Sequence, residues 1–133
     1  MARNTLDVFI DIVPREVPGI MFLSGGMTER DATACLHQLN KLKLERAAEG
    51  GAEGPLIPWN LSFSFGRALQ TSALLAWAGK QENRQKAANI VASVAKANSE
   101  ATRAVFQGEH PSISESGTLY ENFRGWQGKA SVS

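Results

Sequence analysis

Twice along this chain a short apolar run ends in a glycine turn and gives way to helical spacing, and that repeat constrains the fold more than any other feature. Gly19-Ile20-Met21-Phe22-Leu23 is apolar without alternation and stops at Ser24-Gly25-Gly26. An unbroken apolar run is what a strand buried on both faces shows, as in parallel sheets covered by helices. Thr28 then offers a helix cap, and Glu29 and Asp31 place negative charge in the first turn. Ala32, Cys35, Leu36, Leu39 and Leu42 follow at helical spacing as one apolar stripe. After a flexible loop over Gly50–Pro55 the pattern returns. Trp59-Asn60-Leu61-Ser62-Phe63-Ser64-Phe65 reads as a strand, Gly66-Arg67 as a turn, and Leu69, Ala73, Ala76 and Trp77 as the stripe of a second helix.

Alternation of strand and helix argues for the α/β class with a parallel sheet. Gly79 closes the second helix, since glycine accepts the left-handed conformation at a helix end. A longer helix is expected from about Asn83 to Gln107, with Ile90, Val91, Val94, Ala101 and Val105 inward and Gly108 as its stop. Residues 109–133 hold Pro111, serines and glycines without sustained periodicity and read as a flexible C-terminal tail. At the other end, Leu6, Val8, Ile10 and Ile12 alternate with Asp7 and Asp11, a period that suggests a strand. Phe9 breaks that alternation, and Asn4-Thr5 would instead cap a short helix. Pro14 and Pro18 bracket the connector to the first buried run.

Composition removes several function classes. Lys and Arg total 14 against 13 Asp and Glu, a balance that argues for neither nucleic acid nor an anionic membrane as partner. The longest apolar runs fall far short of the roughly 20 residues needed to span a bilayer, and the N-terminus lacks the long apolar stretch of a secretory signal. Cys35 is the only cysteine, so no intrachain disulfide forms and a reducing compartment fits. The cytoplasm is the expected location, with a plastid left open. His37 and His110 lie apart with no further ligand at metal spacing, so no metal and no cofactor are expected. Cys35 sits on the apolar stripe as a small core residue, and Trp59 and Trp77 read as packing between strand and helix.

Both glycine turns carry anion chemistry. Ser24, Gly25 and Gly26 offer a hydroxyl and successive amides, and the following helix points its positive end at them. Ser64, Gly66 and Arg67 repeat the arrangement, with a guanidinium able to grip a phosphate through two donors. Taken alone, a Ser-Gly-Gly turn is more often ordinary turn chemistry. Two longer motifs add to it. Val17-Pro18-Gly19-Ile20-Met21-Phe22-Leu23-Ser24-Gly25-Gly26 resembles the seventh strand and phosphate loop of class I fructose-bisphosphate aldolases. Pro58-Trp59-Asn60-Leu61-Ser62-Phe63-Ser64-Phe65-Gly66-Arg67-Ala68-Leu69-Gln70 resembles their eighth strand and loop. Trp77-Ala78-Gly79-Lys80, Glu82-Asn83 and Ala97-Asn98-Ser99 are similar to the family's closing helices.

The resemblance runs from about Val13 to Gly108 and implies part of a TIM (β/α)8 barrel: its last two βα units, a C-terminal helix and a tail. Residues 1–12 remain unmatched by it, and 109–133 form the tail. It implies substrate-phosphate binding by Ser24, Gly25, Gly66 and Arg67, supported by Gly26 and Ser64. The implied reaction is reversible cleavage of fructose 1,6-bisphosphate to dihydroxyacetone phosphate and glyceraldehyde 3-phosphate, through an imine on a lysine of the sixth strand. A complete barrel takes about 250 residues, and neither that lysine nor the acid–base carboxylates of earlier strands has a counterpart here. No catalytic residue is therefore expected in these 133 residues. Lys41, Lys43 and Lys80 read as solvated. Ser114 to Tyr120 resembles the start of the family's tail, whose terminal tyrosine reaches the active site. The partners implied are sugar phosphates. The alternative is a non-catalytic sugar-phosphate binder, or a chain that associates with itself or docks onto full-length aldolase through open sheet edges.

Overall fold

A computed structural model describes residues 1–112 of the 133. Helix α1 (Ala2–Ile12) leads to strand β1 (Gly19–Phe22) and helix α2 (Glu29–Glu45), then a 3-10 segment (Ala47–Glu53). Strand β2 (Asn60–Phe63), helix α3 (Arg67–Trp77), a 3-10 turn (Gln81–Asn83) and helix α4 (Arg84–Thr102) complete the order. β1 and β2 pair in parallel, with Gly19 opposite Asn60 and Phe22 opposite Phe63. The two expected strand–turn–helix units are both present, and the strands are adjacent.

The first twelve residues form a helix, not the strand that their alternation suggests. Leu6 is fully buried, while Val8 and Ile12 stand 52% and 72% exposed. Phe9, which breaks the period of two, lies on the packed stripe with Ala2, Ile10 and Val13. The real period is helical, and the stripe covers a cluster of Leu6, Leu39, Ile57, Trp59 and Leu61. Trp59 is its largest member, and its indole N–H donates to the Pro14 carbonyl (2.7 Å), which ties the α1–β1 connector to the start of β2.

Other expectations need correction in detail. α3 buries Ala68, Thr71, Ser72 and Ala73; of the expected stripe Ala73 is buried, Leu69 and Ala76 are half-buried and Trp77 is exposed, as are Leu74 and Leu75. Its partners α2 and α4 present polar groups there, so small hydroxyl side chains pack better than large apolar ones. α4 ends at Thr102, five residues early, because Ala104 takes a left-handed conformation (φ 57°). It buries Val94, Ala97, Asn98 and Ala101, leaving Val91 and Val105 exposed.

The Gly50–Pro55 region is held rather than loose. A Cβ at Gly50 would lie 2.5 Å from the Leu56 amide nitrogen, and Arg15 donates to the Glu53 and Pro55 carbonyls (3.0 and 2.9 Å). Of the tail, residues 109–112 are described and partly packed, with His110 and Ser112 buried. Tyr120 and the rest of 113–133 lie outside the described residues.

Candidate functional site

The parallel pairing decides where the two glycine loops sit. Phe22 and Phe63 are partners at the ends of their strands, and the Ser64 N–H donates to the Phe22 carbonyl (2.8 Å). The chain therefore leaves both strands at the same edge of the sheet, about 4.8 Å apart. Ser24-Gly25-Gly26 emerges from one and Ser64-Phe65-Gly66-Arg67 from the other.

In the first loop, Gly25 and Gly26 take φ values of 52° and 86°, a left-handed pair that a side chain would strain. The Ser24 carbonyl accepts the Met27 N–H (3.0 Å), closing the turn. Ser24 is buried, while both glycines are exposed. Thr28 caps α2 as expected, its hydroxyl oxygen accepting the Asp31 N–H (3.0 Å).

The second loop ends differently. Gly66 occupies the N-cap of α3, where it has no side chain to satisfy the first amides. The opening amides of a helix need partners, and an anion at that end would supply them together with the helix dipole. Ser64, Gly66 and Arg67 are exposed at this edge. All six expected phosphate-site residues thus belong to two neighbouring loops.

Beside the loops runs an apolar groove of about 190 Å³, lined among others by Phe22, Leu23, Met27, Cys35 and Phe65. Burial first, then the Asp31 carboxylate, pushes up the pKa of the Cys35 thiol, so the thiol is held in its neutral form. Among the described residues, no group of three His, Cys, Asp or Glu side chains is placed to hold a metal ion.

Lys43 is not simply solvated. Its ammonium donates to the Trp59 carbonyl (2.7 Å), and burial lowers its pKa. Lys41 and Lys80 are exposed. Trp77, expected to pack, is 42% exposed.

Behind the loops lies a buried polar network that periodicity did not disclose. Glu29, the first residue of α2, is 1% exposed. Its carboxylate accepts the Ser72 N–H (3.1 Å), the Ser72 hydroxyl and the Ser112 hydroxyl (2.6 Å). Next to it, the Thr33 hydroxyl meets Asn98 Oδ1 (2.7 Å) and His110 Nε2 (2.9 Å). The Ser112 N–H donates to His110 Nδ1 (3.1 Å). An Nδ1 that accepts carries no proton, so the ring is neutral and donates from Nε2 to Thr33. Burial lowers the pKa of His110, opposed by Glu29 and assisted by Arg30. The sequence marked Glu29 as a helix-start acid and Asn98 as part of a motif, but gave no sign that they face Ser72, Ser112 and Thr33.

A family profile described as fructose-bisphosphate aldolase class-I, glycolytic, matches residues 1–125. This chain belongs to the class I fructose-bisphosphate aldolase family. The match takes in α1, which the sequence motifs did not reach. The chain is 46% identical over 108 residues to the cytoplasmic isozyme of fructose-bisphosphate aldolase from Spinacia oleracea, covering 81% of this chain and 27% of the relative. A fructose-bisphosphate aldolase of Echinococcus multilocularis is 44% identical over the same share of each chain. Among solved structures, the aldolase of Plasmodium falciparum, in a complex with TRAP and a small-molecule inhibitor, superposes with a TM-score of 0.69 at 40% identity. That superposition covers 81% of this chain and 28% of the other. This aldolase-family chain therefore spans about a quarter of the length of the relatives it matches. No helix among its described residues is long and apolar enough to cross a membrane.

Proposed function

We propose that this chain binds sugar phosphates through the loops after β1 and β2, as the phosphate-holding part of a class I aldolase (β/α)8 barrel. Ser24, Gly25, Gly66 and Arg67 hold the phosphate ester, supported by Gly26 and Ser64. The observation that carries the reading is the register. Pairing of Phe22 with Phe63 brings two amide-rich loops and the starts of two helices to one sheet edge, in a chain of this family. The ligands are dihydroxyacetone phosphate and fructose 1,6-bisphosphate, and the setting is cytosolic glycolysis.

The family reaction is a lyase step in which an imine on lysine serves as electron sink for carbon–carbon cleavage. By themselves these 133 residues bind without cleaving. Lys43 is engaged with the Trp59 carbonyl, and Lys41 and Lys80 are exposed, which leaves none of the three suited to a desolvated imine. The test is an amide NMR titration of the 133-residue chain with dihydroxyacetone phosphate. The amides of Gly25, Gly26, Gly66 and Arg67 are expected to move. A dispersed spectrum left untouched by millimolar ligand refutes binding, and cleavage of fructose 1,6-bisphosphate by the pure chain refutes the lack of turnover.

A second reading rests on the sheet itself. β1 and β2 have only each other as partners among the described residues, and Met21 and Leu23 are 56% and 77% exposed. Unpaired edges beside apolar surface favour association with another copy or with an aldolase barrel. A sharp monomer mass in light scattering at high concentration would count against it.

A further inference from the structure

The buried Glu29 carboxylate stands at the joint between the two phosphate loops. It follows Thr28, the cap that ends the first loop, and it opens α2. Its bonds cross to Ser72, about one and a half turns into the helix that the second loop begins. Both the backbone N–H and the hydroxyl of Ser72 are gripped by the same carboxylate. Apolar packing resists separation of two helices but tolerates sliding and rotation. Two directional bonds to one residue resist both. A buried carboxylate is costly unless its lone pairs are answered, and Ser112 supplies a third donor to this one.

We propose that Glu29 is a positioning residue for the phosphate site: it clamps the start of α2 to α3, so that Ser24–Gly26 and Gly66–Arg67 converge on one anion. The proposal rests on the phosphate reading above. A displacement of about 1 Å between positioning elements is enough to spoil a convergent donor set. The chemistry recognised is a phosphate dianion whose oxygens are shared between the loops.

The test is an amide NMR titration of the 133-residue chain with inorganic phosphate at constant ionic strength. In the unaltered chain, Gly25, Gly26, Gly66 and Arg67 are expected to follow one isotherm with one Kd. Glu29→Gln removes the charge that strengthens the Ser72 and Ser112 bonds and leaves one acceptor oxygen where there were two. It is expected to weaken binding about fivefold or more, the lower end of inter-site coupling, and to split the two loops into separate isotherms. Ser72→Ala keeps the backbone donor and is expected to act in the same direction more weakly. It decides the matter if Glu29→Gln does not fold. Asn98→Ala damages the neighbouring network without touching the clamp, and should lower stability while keeping one shared Kd. A folded Glu29→Gln or Ser72→Ala chain with a single, unchanged Kd overturns the positioning role and leaves the phosphate site standing. Loops of the unaltered chain that ignore phosphate overturn both.

Discussion

Replacing Leu6 by alanine tests whether α1 is an integral part of the fold. Leu6 is fully buried among Leu39, Ile57, Trp59 and Leu61. Its truncation loses the transfer free energy of the deleted atoms and leaves a cavity that the cluster closes only in part. Substitutions of this kind cost about 2.7–5 kcal/mol, against a total stability of roughly 5–15 kcal/mol for a domain. Val8, 52% exposed two residues along, should cost less than about 0.5 kcal/mol when changed to alanine. With a urea slope of about 2 kcal/mol per molar, Leu6→Ala is expected to lower the unfolding midpoint by roughly 1.3 M or more and Val8→Ala by about 0.25 M at most. Tryptophan fluorescence reports the transition, since Trp59 belongs to the same cluster. A strand of period two would place Leu6 and Val8 on one face and make the two losses similar. Equal shifts would therefore refute the helical packing of the first twelve residues.

Arg67→Ala removes the guanidinium at the second loop, and a hydrogen bond to a charged group is worth roughly 1.5–3 kcal/mol. Calorimetric titration with dihydroxyacetone phosphate should show affinity falling about tenfold or more; an unchanged affinity would remove Arg67 from the site. For His110, burial holds the folded pKa below the ordinary 6.5, while the unfolded chain keeps that ordinary value. The unfolded state then binds more protons below pH 6.5, so this contribution to stability is complete above 6.5 and is lost as pH falls from 6.5 through the lowered folded value. Protonation would also set an Nδ1–H against the Ser112 N–H. Urea midpoints measured across that window should fall less steeply for His110→Gln than for the unaltered chain, and identical slopes would reject the assignment.

The two βα units were legible in the sequence because their signals are local. An apolar run, a left-handed glycine pair and a capping threonine each act over a few residues, and Thr28 caps α2 where its hydroxyl was expected to. The phosphate-site candidates were legible for the same reason, as residues lying just past the strand ends. Adjacency of the two strands follows from their parallel pairing and was implied by the βα alternation. The N-terminal segment misled because Leu6 and Ile10 satisfy both periods in so short a stretch; only the cluster around Trp59 decides between them.

Tertiary structure alone decided which face of α3 is buried and what Glu29 does. As sequence, Glu29 is an acidic residue suited to a helix start, and Ser72 a small polar residue beside an apolar stripe. Their meaning comes from partners 43 and 83 positions away along the chain. No local preference encodes such a contact: whether a carboxylate is solvated or buried depends on donors that only the folded chain brings within reach.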